Sequence, residues 1–189
     1  MTEGRKRGPL RADAQRNYDQ ILAAAEAAVA RDGADASLEE IARQAGVGSA
    51  TLHRHFPSRQ ILLEAVFSAK VETLCRQAKD LAADAEPSDA LITWLRAVVA
   101  HATSNRGLAT ALLRGAHESF GTTCHAMITD AGRELLERAH EAEAIRPGVE
   151  IVDLLTLANA IALATEQEPN AGARAEQLLD LAIYGVRPT

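Results

Sequence analysis

The sequence predicts an all-α protein, in which an N-terminal three-helix helix-turn-helix module is joined by a long helix to a C-terminal helical bundle, about nine helices in total. Three observations predict it. Apolar residues make up 47% of the 189, and much of that fraction is alanine, the strongest helix former. Aromatics are only 3%, and β-branched runs are scarce, so strands lack their usual material. Between successive Gly and Pro marks (Gly33, Gly46, Pro57, Pro87, Gly107, Gly121, Pro147 and Pro169) the apolar residues recur at helical spacing.

The first helix is expected over 13–32, with Tyr18, Ile21, Leu22, Ala25 and Val29 on one face and Gly33 as its C-cap. Ser37 and Glu40 form a Ser-x-x-Glu capping box that opens a second helix. That helix buries Leu38, Ile41, Ala42 and Ala45 before Gly46 breaks it. A third short helix starts near Gly48–Ser49 and carries Leu52 and Phe56, four apart on one edge, until Pro57 stops it. Ser58 caps a long fourth helix with Leu62, Ala65, Val66, Ala69 and Leu74 inward. Further helices are expected at 88–104, 107–115, 120–143, 150–167 and 171–184.

The segment Ser37–Phe56 is the informative one: a capped helix, Ala42 where two helices must approach closely, Gly46 in a tight turn plugged by Val47, and a second short helix ending in an aromatic. This is the helix-turn-helix pattern, whose second helix lies in the major groove of DNA. A small helical hairpin in an ordinary bundle has the same spacing. The charge distribution favours nucleic acid: residues 1–60 carry nine Lys/Arg against eight Asp/Glu, whereas the whole chain is at −6. Arg5, Lys6, Arg7, Arg11 and Arg16 make a basic arm, either a DNA footprint or a solvated tail.

With Leu52 and Phe56 turned inward, Ser49, Ala50, Thr51, His53 and Arg54 are left on the accessible surface of the third helix. Ser49 and Thr51 can donate to phosphates or base edges, and the Ala50 methyl can meet a thymine methyl. Arg54 is the candidate for bidentate guanine recognition, its alternative being a solvated charge. His53 would touch a phosphate, while His55 packs back on the first helix. Ser37 and Arg59 stand at helix starts, where free N–H groups and the dipole attract phosphate.

Residues 18–67 resemble the DNA-binding module of the tetracycline-repressor (TetR) family. The features that carry the resemblance are Ile21-Leu22-x-Ala24-Ala25, the Gly33 cap, Ser37 opening Leu38-x-x-Ile41-Ala42-x-x-Ala45-Gly46-Val47, then Thr51-Leu52-x-x-His55-Phe56, Ser58 and Leu62-Leu63. His53 departs from the family's usual tyrosine, Ser37 from threonine and Arg59 from lysine. All three keep hydrogen-bonding ability and bear on which operator is read.

The resemblance implies a division into a basic arm and DNA-binding domain, 1–60, and a ligand-sensing and dimerisation domain, 61–189. It implies a homodimer through the last two helices, whose candidate interface is Ile151, Leu154, Leu155, Ala158, Ile161, Ala162, Leu178, Leu179, Ala182 and Ile183. The alternative for this stripe is intramolecular core. The middle helices would line an effector cavity, with Trp94, His101, Leu112, His117, Phe120, Cys124 and Met127 as candidate walls, each alternatively a core residue. The implied partners are double-stranded DNA with a partly palindromic operator, a second copy of the chain and an unknown small-molecule effector. The implied activity is a repressor that leaves its operator on binding that effector.

Catalysis is not expected: no glycine-rich phosphate loop, nucleophile elbow or His-Glu-x-x-His occurs. No cofactor and no metal are expected, although His117, Glu118, Cys124 and His125 are a local set of ligand-type side chains and leave a metal sensor as the alternative. No apolar stretch reaches the roughly 18 residues of a membrane span. The first ten residues lack the apolar core of a secretion signal, and two cysteines make no disulfide framework. A reducing, cytoplasmic setting is expected.

Overall fold

Eight α-helices and one 3-10 turn account for nearly all of the described residues, and no strand occurs among them. The computed structural model describes the backbone of residues 7–104 and 118–186 and the side chains of residues 12–104 and 123–183. The helices are α1 (Arg7–Asp32), α2 (Leu38–Gln44), α3 (Ser49–His55), α4 (Arg59–Asp84), α5 (Pro87–Ser104), α6 (Glu118–Glu141), α7 (Ile151–Ala164) and α8 (Ala171–Val186). The helix expected at 107–115 lies outside the described residues. Helix α1 begins six residues earlier than the periodicity suggests; Pro9 in its first turns lacks only an N–H that has no intrahelical partner there.

The backbone divides into two compact units, with the boundary after Phe67, inside α4. In the first unit, α1, α2, α3 and the start of α4 enclose Ile21, Ala25, Ile41, Leu52, Phe56, Leu62 and Val66, each 1% exposed or less. Burying each of the larger side chains stabilises the unit by roughly 1.5–3 kcal/mol. This small core orients α3, because Leu52 and Phe56 are its only deeply buried contributions from that element.

In the second unit α5 is central and packs on α6, α7 and α8. Its inward residues Leu91, Trp94, Leu95 and Val98 meet Leu135 and Ala139 of α6, Ile151, Leu154 and Ala158 of α7, and Leu179 and Ile183 of α8 in one continuous core. Pro87 stands at the first position of α5, where a proline's fixed φ suits a helix start. Arg138 on α6 donates to the carbonyl of Ala82 near the end of α4, placing a cation on that helix's negative end. Helix α6 ends in an unusual way. Glu143, not glycine, takes the left-handed conformation at φ 54°, while Ala144 N donates to Ala139 O at 2.9 Å.

Candidate nucleic-acid interface

The helix-turn-helix is built by local chemistry. Ser37 Oγ accepts from Glu40 N at 3.3 Å and caps α2. The reciprocal half of the capping box is absent, because the Glu40 carboxylate accepts from both Arg43 (2.6 and 2.8 Å) and Gln44 (2.7 Å) instead. A charged fork outcompetes a neutral backbone N–H. Arg43 and then Gln44, by these hydrogen bonds, hold the Glu40 carboxyl down at about 2.

Helix α2 stops in a Schellman turn: Gly46 N donates to Arg43 O at 3.2 Å and Val47 N to Ala42 O at 3.0 Å. Gly46 holds φ +67°, a conformation an L side chain adopts only at a steric cost. Gly48 then opens α3, its carbonyl accepting from Leu52 N at 3.1 Å.

On α3, Ser49, Ala50, His53 and Arg54 are exposed together, at positions that share one face of a helix. Thr51 is half-buried at its edge. The opposite face is anchored by Leu52 and Phe56, and Tyr18 of α1 stacks on Phe56 with ring centroids 5.0 Å apart. His55 meets Tyr18 edge-on at 6.2 Å, so it packs back on α1. Arg54 has no partner among the described residues. Arg59 has partners within its own unit. It is exposed at the start of α4, but its Nη1 donates to Ala36 O at 2.6 Å and Ala34 O at 3.1 Å. Of the basic arm, Arg5, Lys6 and the side chains of Arg7 and Arg11 lie outside the described residues, and Arg16 pairs with Asp13.

Two families match the sequence. Residues 21–66 match that described as bacterial regulatory proteins, tetR family. Residues 86–188 match that described as transcriptional regulator SbtR-like, C-terminal domain. The chain belongs to the TetR family of transcriptional regulators.

Solved structures agree. A TetR transcriptional regulator from Streptomyces coelicolor is 38% identical, with 91% of this chain and 99% of that one aligned at a TM-score of 0.78. A TetR transcription regulatory protein from Mycobacterium vanbaalenii is 31% identical, with 95% and 100% aligned at 0.75. A ketosteroid transcriptional regulator of Mycobacterium tuberculosis, 18% identical over 91% of this chain and 95% of its own, shares the fold at 0.60. No protein with a curated description matches significantly. The N-terminal domain of this TetR-family regulator is therefore its DNA-binding domain. Regulators of the family bind DNA and act as dimers, and they are not enzymes.

The second unit holds the other expected residues. Trp94 is fully buried, its indole N–H donating to Leu74 O at 3.0 Å, and it is part of the packed core. Cys124 is buried, while His101 and Met127 are half-buried. Leu112, His117 and the side chain of Phe120 lie outside the described residues. A cleft of about 400 Å³ between α5 and α8, floored by Ala97, Val99, Ala100 and Leu179 and rimmed by Arg96 and Glu176, was not foreseen. Of the metal-type set, Cys124 points inward and its neighbour His125 outward; no group of three or more ligand-type side chains gathers among the described residues.

The expected interface residues lie in the subunit's own core or at its edge. Ile151, Leu154, Leu155, Ala158, Ile161, Ala162, Leu179 and Ile183 are buried within the chain, and Leu178 and Ala182 are half-buried. The subunit's own core uses this stripe. What it leaves uncovered is the opposite side: Val152 is 48% exposed, Leu163 66% and Leu181 64%. Val152 and Leu163 lie three turns apart on α7, with Thr156 and Asn159 exposed between them. The signal was in the sequence as apolar residues off the main stripe.

Proposed function

We propose that this chain is an effector-responsive repressor that binds a partly palindromic operator as a homodimer and leaves it when a small molecule binds the second unit. The observation that carries the DNA-reading part is the single uncovered face of α3, where Ser49, Ala50, His53 and Arg54 stand together over a rigid apolar anchor. Arg54 reads a guanine edge, Ala50 meets a thymine methyl, and Ser49, Thr51 and His53 supply the shorter polar contacts. Ser37 reaches a neighbouring phosphate from the α2 cap.

The dimer forms through the outward faces of α7 and α8, with Val152, Thr156, Leu163 and Leu181 meeting their symmetry mates. An exposed leucine is ordinary by itself, but an uncharged strip that carries both Val152 and Leu163 exposed supports an interface. His101, Cys124 and Met127 remain candidates for the effector site. An apolar effector is supported by the ketosteroid regulator that shares the fold. Differential affinity for the two states of the dimer is what such an effector must supply. No helix among the described residues is long and apolar enough to cross a membrane, and a cytoplasmic setting fits a regulator of DNA.

The test is selection of bound duplexes from a random pool, followed by footprinting. Symmetric half-sites about 34–36 Å apart, or a multiple of that, are expected for a two-fold dimer. Absence of any enriched sequence would reject the assignment.

A further inference from the structure

Arg59 is the first residue of α4, and yet it reaches back across the first unit to the turn that precedes α2. The two carbonyls it meets belong to Ala34 and Ala36, on either side of the bend that leads into Ser37. Neither has a place in the α2 ladder, whose first bond runs from Ile41 N to Ser37 O at 3.0 Å. Ala36 itself is 2% exposed, so the Ala36 carbonyl sits where a missing donor would be costly. One guanidinium nitrogen, with its two N–H groups, satisfies both acceptors in a fixed geometry that a compact ammonium does not copy.

We infer that Arg59 is a positioning residue: it braces the Ser37 cap and the start of α2 against α4, and it contributes to DNA binding through that brace and not through a phosphate contact of its own. The inference rests on the DNA-reading surface proposed above. Its consequence is directional. Any displacement of the first turn of α4 is handed to Ala36 O, and so to Ser37, without passing through α3. The Arg59 charge thus stabilises one shape of the helix-turn-helix, and the salt-dependent part of DNA affinity comes from other cations.

The full-length protein, as wild type, Arg59→Gln, Arg59→Lys and Ser37→Ala, would be titrated with a duplex enriched from a random pool over a series of salt concentrations. Arg59→Gln is expected to weaken binding about five-fold, the scale of a lost N-cap, with the salt slope of the wild type. Ser37→Ala added to Arg59→Gln is expected to cost less than Ser37→Ala alone, because the cap is already loosened. Without DNA, amide exchange at Glu40 and Ile41 is expected to quicken in Arg59→Gln and partly recover in Arg59→Lys. A salt slope shallower by about 0.9, the signature of one lost phosphate contact, restored by Arg59→Lys, would overturn the inference. Unchanged exchange at Glu40 and Ile41 would overturn it too. The exchange measurement needs no DNA, so failure of the wild type to bind any duplex would sink the reading of α3 alone and leave the brace to be decided separately.

Discussion

The six-membered ring of Trp94 lies directly on Gly132, so closely that a Cβ built there would stand 2.6 Å from the Trp94 ring and 2.6 Å from Ile151 Cδ1. Helix α6 can approach α5 and α7 only because position 132 has no side chain. We expect Gly132→Ala to destabilise the protein by about 1–3 kcal/mol despite alanine's better helix propensity, since the overpacking outweighs the backbone gain. Urea unfolding followed by circular dichroism measures it. In a Trp94→Leu background the same substitution should cost less, and an equal cost would show that the ring is not what it meets.

At the far end of α6 the backbone carries a removable strain. Glu143 occupies φ 54° where a helix C-terminus ordinarily uses glycine. Glu143→Gly should therefore stabilise the protein by about 1 kcal/mol. Thermal unfolding decides it: an unchanged or lower midpoint would mean the side chain contributes contacts that outweigh the strain.

Arg54→Ala should weaken operator binding by about 1–3 kcal/mol and relax the preference at one base position, with the other positions read as before. Competition among singly substituted duplexes is the measurement. A uniform loss across all of them would reassign Arg54 to the backbone.

For assembly the contrast lies between two sides of α7. Leu163→Glu, on a side chain 66% exposed, should give a folded monomer, whereas Ala158→Glu, at 0% exposed, should unfold the second unit by burying an unpaired charge. Light scattering combined with circular dichroism separates the outcomes. A dimer that survives both Leu163→Glu and Leu181→Glu would place the interface elsewhere.

Burial, and secondarily Lys70, holds the His101 imidazole down at about 4 from its ordinary 6.5. Between those values the unfolded chain binds a proton that the folded chain does not. Stability is therefore unaffected by this group above about pH 6.5 and declines as pH falls toward 4. His101→Asn should flatten that decline in urea midpoints measured across the range. An unaltered pH profile would assign the acid sensitivity to other groups.

Local chemistry was legible in the sequence. Ser37, Gly33 and Gly46 each announced a cap or turn, and Pro87 a boundary between helices, through properties of a single residue. The inward face of α3 followed from Leu52 and Phe56 alone. Legibility ended where the deciding fact was what lies opposite. The stripe from Ile151 to Ile161 is equally apolar whether α5 or another subunit covers it, so periodicity could not say that the chain covers it itself. Trp94 suited a cavity wall by size and polarity, and its close approach to Gly132 was not legible in the sequence. The carbonyl partners of Arg59, 23 and 25 residues away, could not be read from its place at a helix start.

The cap at Ser37 bears on which residues that position can accept. Its oxygen takes the Glu40 amide with a lone pair, and this leaves the hydroxyl hydrogen unspent and directed by free rotation. Aspartate would cap α2 equally well, but it brings a negative charge and has no hydrogen to offer. Among good cap residues, only those that accept with one part of the group and donate with another can serve helix and polyanion at once. Serine and threonine do so with one atom, and asparagine must divide the work between its amide oxygen and nitrogen.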